Sequence, residues 1–499
     1  MIDYQKKHND FVSTERSLLI APAGYGKTHT IAECLKYLKE QKSIENQLVL
    51  THTHAGVASI KEKVGKVSPI CKYHIETIPS FAQKYVEAFY CGEIPEQNQS
   101  NYFPFIIKKA IILFRLNPIK NIIKETYKGL FVDEYQDCTI SQHNLIIALA
   151  EILLTHLLGD PLQGIFSFNG ESLVDFESDL SDFQSNRLTE PWRWKDNNPE
   201  LGNWLVTLKD SLEKKRPVDL TEINSIPNSF FRIVEDDDIN DPASAYRKWL
   251  VQISFNSNHI KDLENTLIIS HGTIWQRVEL NQKLSYRYRL IEAFDEKGFY
   301  SFAQKFDDLL DSKNIYFDLI TILKGNVTRK CKPKGKIDNS RQSTLLTGLS
   351  RYFKDDNNLP NPRNEPQKSV VTLIRNLETS PSNKLVYDCL KALSSLQEVK
   401  ITRKELFSEL LKAIKSASIE RITVYEAMKK IRNVKRKAGR KVNKRSIGTT
   451  LLTKGLDFDT VVVLNAHKFI DPKNLYVALT RASKRLIVFA NNNILTPYM

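Results

Sequence analysis

The run Leu18-Leu19-Ile20, followed by Ala21-Pro22-Ala23-Gly24-Tyr25-Gly26-Lys27-Thr28, constrains this chain more than any other stretch. The apolar run reads as a buried strand. The spacing of Ile31, Ala32, Leu35 and Leu38 after it reads as a helix. Strand, small-residue loop, Gly-Lys-Thr and helix form a phosphate-binding loop. Small residues let backbone N–H groups close around a triphosphate, and the helix N-terminus adds its positive dipole end. Lys27 is placed to reach the outer phosphates, and the Thr28 hydroxyl to hold Mg²⁺. Ala21 stands where the strict pattern has Gly.

A loop of this kind needs a parallel α/β sheet around it, and the rest of the chain supplies the strands. Asn46–Thr51 and Lys128–Val132 read as strands with helical patterns between them, and Thr155–Leu158 follows. Alternating strands and helices at these spacings predict a parallel core. Residues 83–126 turn helical and aromatic and read as an inserted lobe. Thr266–Ser270 opens a second α/β block, which resumes with Thr460–Leu464 and Arg485–Phe489. The helical, charged stretch from 285 to 440 interrupts it. At 499 residues the chain exceeds one ordinary core of roughly 150 residues. The fold class expected is α/β, with two parallel-sheet domains, each carrying a helical insertion.

Composition narrows the partners. A net charge of +14 favours a polyanion, nucleic acid first. The run 429–445 carries Lys429, Lys430, Arg432, Lys435, Arg436 and further basic residues without an acid, and fits either phosphate contact or a solvated helix face. No run approaches a membrane span, and six scattered cysteines form no Cys-x-x-Cys pair. No membrane partner is expected, and the location expected is cytoplasmic.

Asp133-Glu134 closes an apolar strand about 105 residues after the loop. One carboxylate, Asp133, is suited to Mg²⁺ beside Thr28. The next, Glu134, is suited to taking the proton of an attacking water. Gln163 follows another strand, at the same sheet edge, and fits a γ-phosphate sensor or a helix-capping amide. Phosphoryl transfer also needs cations on the developing charge. Arg193 in LTEPWRW and Arg481 in YVALTRA are the candidates. On chemistry alone, each fits a surface ion pair equally well.

With these residues in place the chain resembles superfamily 1 helicases of the UvrD/Rep type. The resemblance rests on APAGYGKT (21–28), LTHTH (50–54), TIPSF (77–81), VDEYQD (132–137), GDPLQGIFSFNG (159–170), LTEPWRW (188–194), GTTLLTKGLDFD (448–459) and LYVALTRA (475–482), in that order. It implies two RecA-like domains clamping ATP and Mg²⁺. The first would comprise 1–82 and 127–194, with insertion 83–126. The second would comprise 195–284 and 441–499, with a reduced insertion 285–440. By similarity, Gln5 reads adenine and Trp192 stacks on it. Residues 21–28 cradle the phosphates, Arg193 and Arg481 contact the γ-phosphate, and Gly455 and Asp457 touch sugar and phosphates.

On the nucleic-acid side the resemblance implies base stacking at His52, beside Thr53, and at Phe166 and Phe168. His52 replaces a phenylalanine, Ala55 a lysine, Pro79 a histidine, Asn169 an arginine and Leu451 a histidine usual in the family. The partner implied is single-stranded or partly duplex DNA, with movement 3′ to 5′. From the short length, no appended nuclease domain is expected. It resembles the helicase-like subunit of the Gabija anti-phage system, which implies a nuclease partner protein and, as a second reading, a sensing rather than unwinding role.

Overall fold

The computed structural model describes residues 9–41, 46–67, 70–96, 99, 101–165, 170–235, 244–255, 265–271, 273–285, 287–291, 296–312, 315–323, 328–330, 364–397, 399–401, 403–438 and 445–498. Six strands form the first sheet: β1 (Arg16–Ile20), β2 (Gln47–Thr51), β3 (Tyr73–Thr77), β4 (Gly129–Val132), β5 (Leu154–Gly159) and β6 (Gln184–Arg187). Their order is β3-β2-β4-β5-β1-β6, and every pairing is parallel.

The apolar runs are continuous because both faces are covered. Leu18, Leu48, Leu50, Leu130, Val132 and Leu157 point to one face. The alternate residues Leu19, Val49, Phe131 and Leu158 point to the other, against the helices Lys27–Glu40 and His54–Lys66. The edge strand β6, Gln-Ser-Asn-Arg, is exposed throughout and carries no hydrophobic signal. The helices Ile78–Phe89, Tyr102–Phe114 and Asn117–Thr126 cover the expected inserted lobe. Phe81, Tyr85, Ile106 and Phe114 share one core with the sheet residues Leu48 and Leu130. The insertion is therefore continuous with the first sheet's core.

Two strands, β7 (Val218–Asp219) and β16 (Ile494–Leu495), pair as a short antiparallel ribbon. The second large sheet contains β8 (Phe230–Ile233), β9 (Thr266–Ile269), β10 (Arg289–Leu290), β13 (Arg445–Gly448), β14 (Phe458–Val463) and β15 (Ala482–Ala490). It too is wholly parallel, in the order β10-β13-β9-β14-β15-β8. Its core includes Leu267, Val461 and Val488, the helix residues Leu201, Leu205 and Leu208, and Ala21, Ala23 and Tyr25 of the loop after β1. Apolar contact thus joins the loop of the first sheet to the second.

Both sheets lie in one compact unit, Met1–Arg277, Tyr286–Ile291 and Ala438–Met499. The other unit, Val278–Ser285 and Glu292–Lys437, is helical, with a core of its own from Phe306, Leu319, Ile374, Leu390, Leu410 and Met428 among others. It also holds the antiparallel pair β11 (Thr328–Lys330) and β12 (Val399–Ile401). Within it Asp307 accepts hydrogen bonds from Val424 N (2.6 Å) and Tyr425 N (2.9 Å), capping the positive end of the basic helix Val424–Ala438. Residues 439–444 of the basic run lie outside the described residues. No described helix is long and apolar enough to cross a membrane.

Candidate active site

Strand β1 lies between β5 and β6, and at its end the chain turns at once into the loop 21–28. The Ala21 amide still donates to Gly159 O at 2.9 Å, so the loop leaves from the carboxyl edge of the sheet. Gly24 and Gly26 then adopt φ of 76° and 88°. This left-handed backbone turns the chain into the helix that begins at Lys27. At Gly24 space matters as much as φ, because a Cβ there would lie 2.6 Å from Trp194 Cζ3. The Trp194 ring is fully buried, and its Nε1 donates to Ala482 O at 2.7 Å. Gly24→Ala is therefore expected to destabilise the fold by about 1–3 kcal/mol through backbone strain alone. The clash adds to this, and thermal unfolding reads the sum.

The motif carboxylates come to the loop from β4. Asp133 Oδ2 accepts a hydrogen bond from Thr28 Oγ1 at 2.9 Å. Burial, and the neighbouring Glu134, push the Asp133 carboxyl above the usual range. Glu134 sits at φ 58°, a left-handed conformation rare outside glycine, with its backbone N–H donating to Asp133 Oδ1 at 3.0 Å. Burial alone would raise Glu134. Lys27, Lys454, the Gln136 amide and Arg481 outweigh it and hold Glu134 below its ordinary value, hence ionised. Gln136 donates to Glu134 Oε2 and accepts from Asp160 N at 2.9 Å, which ties the end of β4 to the end of β5.

Asp160, fully buried, organises the next turn. It accepts from Ala23 N at 3.0 Å and from Gln163 Nε2 at 2.7 Å. Gln163 Oε1 in turn accepts from Arg481 Nη2 at 3.1 Å. Arg481, 1% exposed, lies between the helix Pro472–Leu479 and β15. Its Nε donates to Val477 O at 3.0 Å. Burial, with Arg193 nearby, lowers its pKa to about 10, which leaves it charged at neutral pH. Arg193 pairs with Asp457 and donates to Thr480 O at 2.6 Å, while its buried Nε has no hydrogen-bond partner among the described residues. Tyr476 OH accepts from Ala23 N at 3.3 Å. The two sheets thus meet in hydrogen bonds between the motifs of one and the motifs of the other.

These groups enclose a cavity of about 320 Å³. Its walls include Gly26, Lys27, Asp133, Glu134, Arg193 and Gly455. Pro22, Ala23, Gly24, Thr28, Gln163, Trp192, Asp457 and Arg481 also reach it, whereas Ala21 and Tyr25 pack behind it in the core. Trp192, 43% exposed, flanks Gly26, with Lys195 Nζ 4.4 Å above its ring. Gly455 has φ 77° with open space around it.

The cavity fits a magnesium-bound triphosphate. Two positive-φ glycines form the cradle. Lys27, a buried residue, donates from Nζ to Ala21 O at 2.9 Å at the cavity wall. Thr28 and Asp133 offer two hard oxygen ligands. Mg²⁺ takes one or two protein oxygens and draws the rest of its shell from phosphates and water.

The residues expected on the nucleic-acid side fall differently. His52 lines this same cavity, its Nε2 3.4 Å from Cys138 Sγ. Burial, with Lys454 close by, lowers its pKa to about 3, so the ring is neutral. Thr53 caps the helix His54–Lys66, accepting from Gly56 N at 3.0 Å, and also reaches the cavity. Phe166, Phe168, Asn169 and Gln5 lie outside the described residues. Sequence reasoning passed over Gln136, Asp137, Asp160 and Lys454. All four stand inside the quoted motifs, and a charged or amide residue within two positions of a motif glycine or acid was the available signal.

Residues 113–228 and 354–490, just over half of the chain, match the family described as viral superfamily 1 RNA helicase core domain, and residues 5–169 match an AAA domain. The chain belongs to the superfamily 1 helicases. Membership places it among helicase enzymes. The helicase is 26% identical over 227 residues to an ATP-dependent helicase/nuclease subunit of Lactococcus lactis subsp. lactis (strain IL1403). That match covers 44% of this chain and only 17% of the relative. It is 22% identical to the Gabija protein GajB of Bacillus cereus (strain VD045), covering 97% of this chain and 94% of that one. Among solved structures, the Pif1 helicase from Candida albicans aligns at 13% identity and a TM-score of 0.39, covering 98% of this helicase and 95% of that chain.

Proposed function

We propose that the chain is a DNA-dependent ATPase that moves along single-stranded DNA, with 3′-to-5′ polarity. The observation that carries the ATPase reading is the hydrogen-bonded line Ala23–Asp160–Gln163–Arg481, which links the phosphate loop of one sheet to the arginine of the other. In this reading ATP lies in the cleft with its outer phosphates at Lys27 and its adenine on Trp192. Thr28 and Asp133 would hold Mg²⁺, which would supply charge neutralisation for the triphosphate. Glu134 takes a proton from water as the water oxygen bonds to the γ-phosphorus and the bond to the ADP oxygen breaks. Arg193 and Arg481 carry the cationic charge that the transition state needs. Once phosphate leaves, those arginines have no anion between the sheets, and the cleft is free to open. Alternate closing and opening steps the strand.

Charge supports a nucleic-acid track, at +14 overall. DNA is preferred to RNA on the strength of the UvrD/Rep resemblance. ATP turnover with and without single-stranded DNA tests the reading. Turnover is expected to rise with DNA at low salt, and the stimulation to fall as salt is raised, because phosphate contacts release counterions. Equal turnover with and without DNA at low salt overturns the motor, and stimulation by RNA alone reassigns the track.

A second reading is favoured by the near full-length similarity to GajB. In it the chain senses ATP and DNA within an anti-phage defence complex and activates a partner nuclease, with little unwinding of its own. A strand-displacement assay on the isolated chain separates the two. Efficient unwinding favours the motor, whereas unwinding or DNA cleavage seen only with a co-purifying nuclease favours the sensor.

A further inference from the structure

Lys454 stands between the short helix Thr450–Thr453 and β14, on the second sheet's side of the cleft. Its side chain is 3% exposed, and so nearly is that of Asp137, at 2%, which follows β4 of the first sheet. Lys454 Nζ lies 2.5 Å from both Asp137 oxygens and also donates to the main-chain oxygen of Gln163. An ammonium has three donors, and among the described residues three acceptors meet it here. Its hydrogen-bonding capacity is therefore matched by protein atoms rather than left for a phosphate, although the residue borders the cavity.

We infer that Lys454 and Asp137 form a charge latch that positions Gln163 against Arg481 when the two sheets close. Gln163 is held twice. Its amide lies between Asp160 and Arg481, and its backbone is drawn to Lys454. A latch made of charges suits a cleft that must open. Each ion regains water when the sheets part, so the pair stabilises closure only modestly but fixes its register. An apolar contact of equal area would hold the sheets together without regard to register. Lys454 is in this account a positioning residue, acting on the reaction through Gln163 in addition to its charge beside Glu134; the label distances, which that charge does not set, read the positioning.

The turnover part of the test rests on ATP hydrolysis in this cleft. The geometric part does not. The variant used is the neutral pair Lys454→Met with Asp137→Asn, because removing one partner alone strands a buried charge. Spin labels at Leu154→Cys and Ile233→Cys, both exposed and one on each sheet, report the distance between the sheets in a background with Cys91→Ser, which removes an exposed thiol, and Cys331→Ser, a position outside the described residues. The neutral pair is expected to broaden and lengthen that distance distribution without nucleotide. It is also expected to lower kcat about 10²-fold, as misplacement of a reacting group does. The KM for ATP stays within about threefold, because no phosphate contact is lost. An unchanged distance distribution, or wild-type kcat in the folded neutral pair, overturns the latch. Absence of turnover in the unaltered chain would count against the hydrolysis reading instead, and the label distances would still decide the latch.

Discussion

Arg481→Ala is expected to lower ATP turnover by about 10³–10⁵-fold, the range associated with an arginine placed on a transferring phosphoryl group. The side chain is 1% exposed and its donors are committed in a fixed fan, to Val477 O, Thr480 Oγ1 and Gln163 Oε1. That fan aims the guanidinium at the group that bridges to the phosphate loop. Alanine removes the charge and leaves Gln163 without the donor at 3.1 Å. It also opens a void beside β15, so a drop in thermal stability is expected alongside the loss of turnover. Arg481→Lys separates the two effects. It fills much of the space and keeps a cation, but cannot fork onto several acceptors. Lysine should restore most of the melting temperature and little of the turnover. Single-turnover hydrolysis with a parallel melting curve measures both. Turnover within about tenfold of wild type in a folded Arg481→Ala protein, far short of that loss, would remove Arg481 from the reaction.

Glu134→Gln is the second large effect, about 10²–10⁴-fold in turnover, as expected for loss of a general base. The carboxylate is held ionised. Burial works against that state, but Lys27, Lys454, the Gln136 amide and Arg481 outweigh it. An amide of the same shape can still accept from Gln136 and sit at the same left-handed backbone angle, so the cavity is preserved. ATP binding should therefore persist while hydrolysis stops, and the protein should accumulate as its ATP complex. Equilibrium binding of labelled ATP together with phosphate release checks this. Loss of binding with loss of turnover would mean that Glu134 serves the fold instead.

The parts of the fold that could be read from the chain are those whose cause is local. Leu18–Ile20, Leu130–Val132 and Val461–Val463 are strands buried on both faces, and such strands are apolar without interruption. The phosphate loop is legible because left-handed turns select glycine at 24 and 26. Strand β6 was illegible for the opposite reason. It is an exposed edge made of Gln184, Ser185, Asn186 and Arg187, and pairing to β1 alone makes it a strand. His52 marks another boundary. Its place in the motif order points toward a nucleic-acid base, whereas its ring lies in the nucleotide cavity wall beside Cys138.

The sequence by itself determined the candidate chemistry: a loop at 21–28 with the pattern of a triphosphate cradle, carboxylates at 133 and 134, and two arginines far along the chain. It also determined that two parallel sheets must carry them, because buried parallel strands and glycine-dependent turns leave local marks in composition. Only the tertiary structure decided how the two halves meet. The bonds from Arg481 to Gln163, from Lys454 to Asp137 and from Ala23 to Tyr476 join residues roughly 320 to 450 positions apart. Contacts between residues so distant depend on how two separately folded sheets pack, and no periodicity along the chain records that packing.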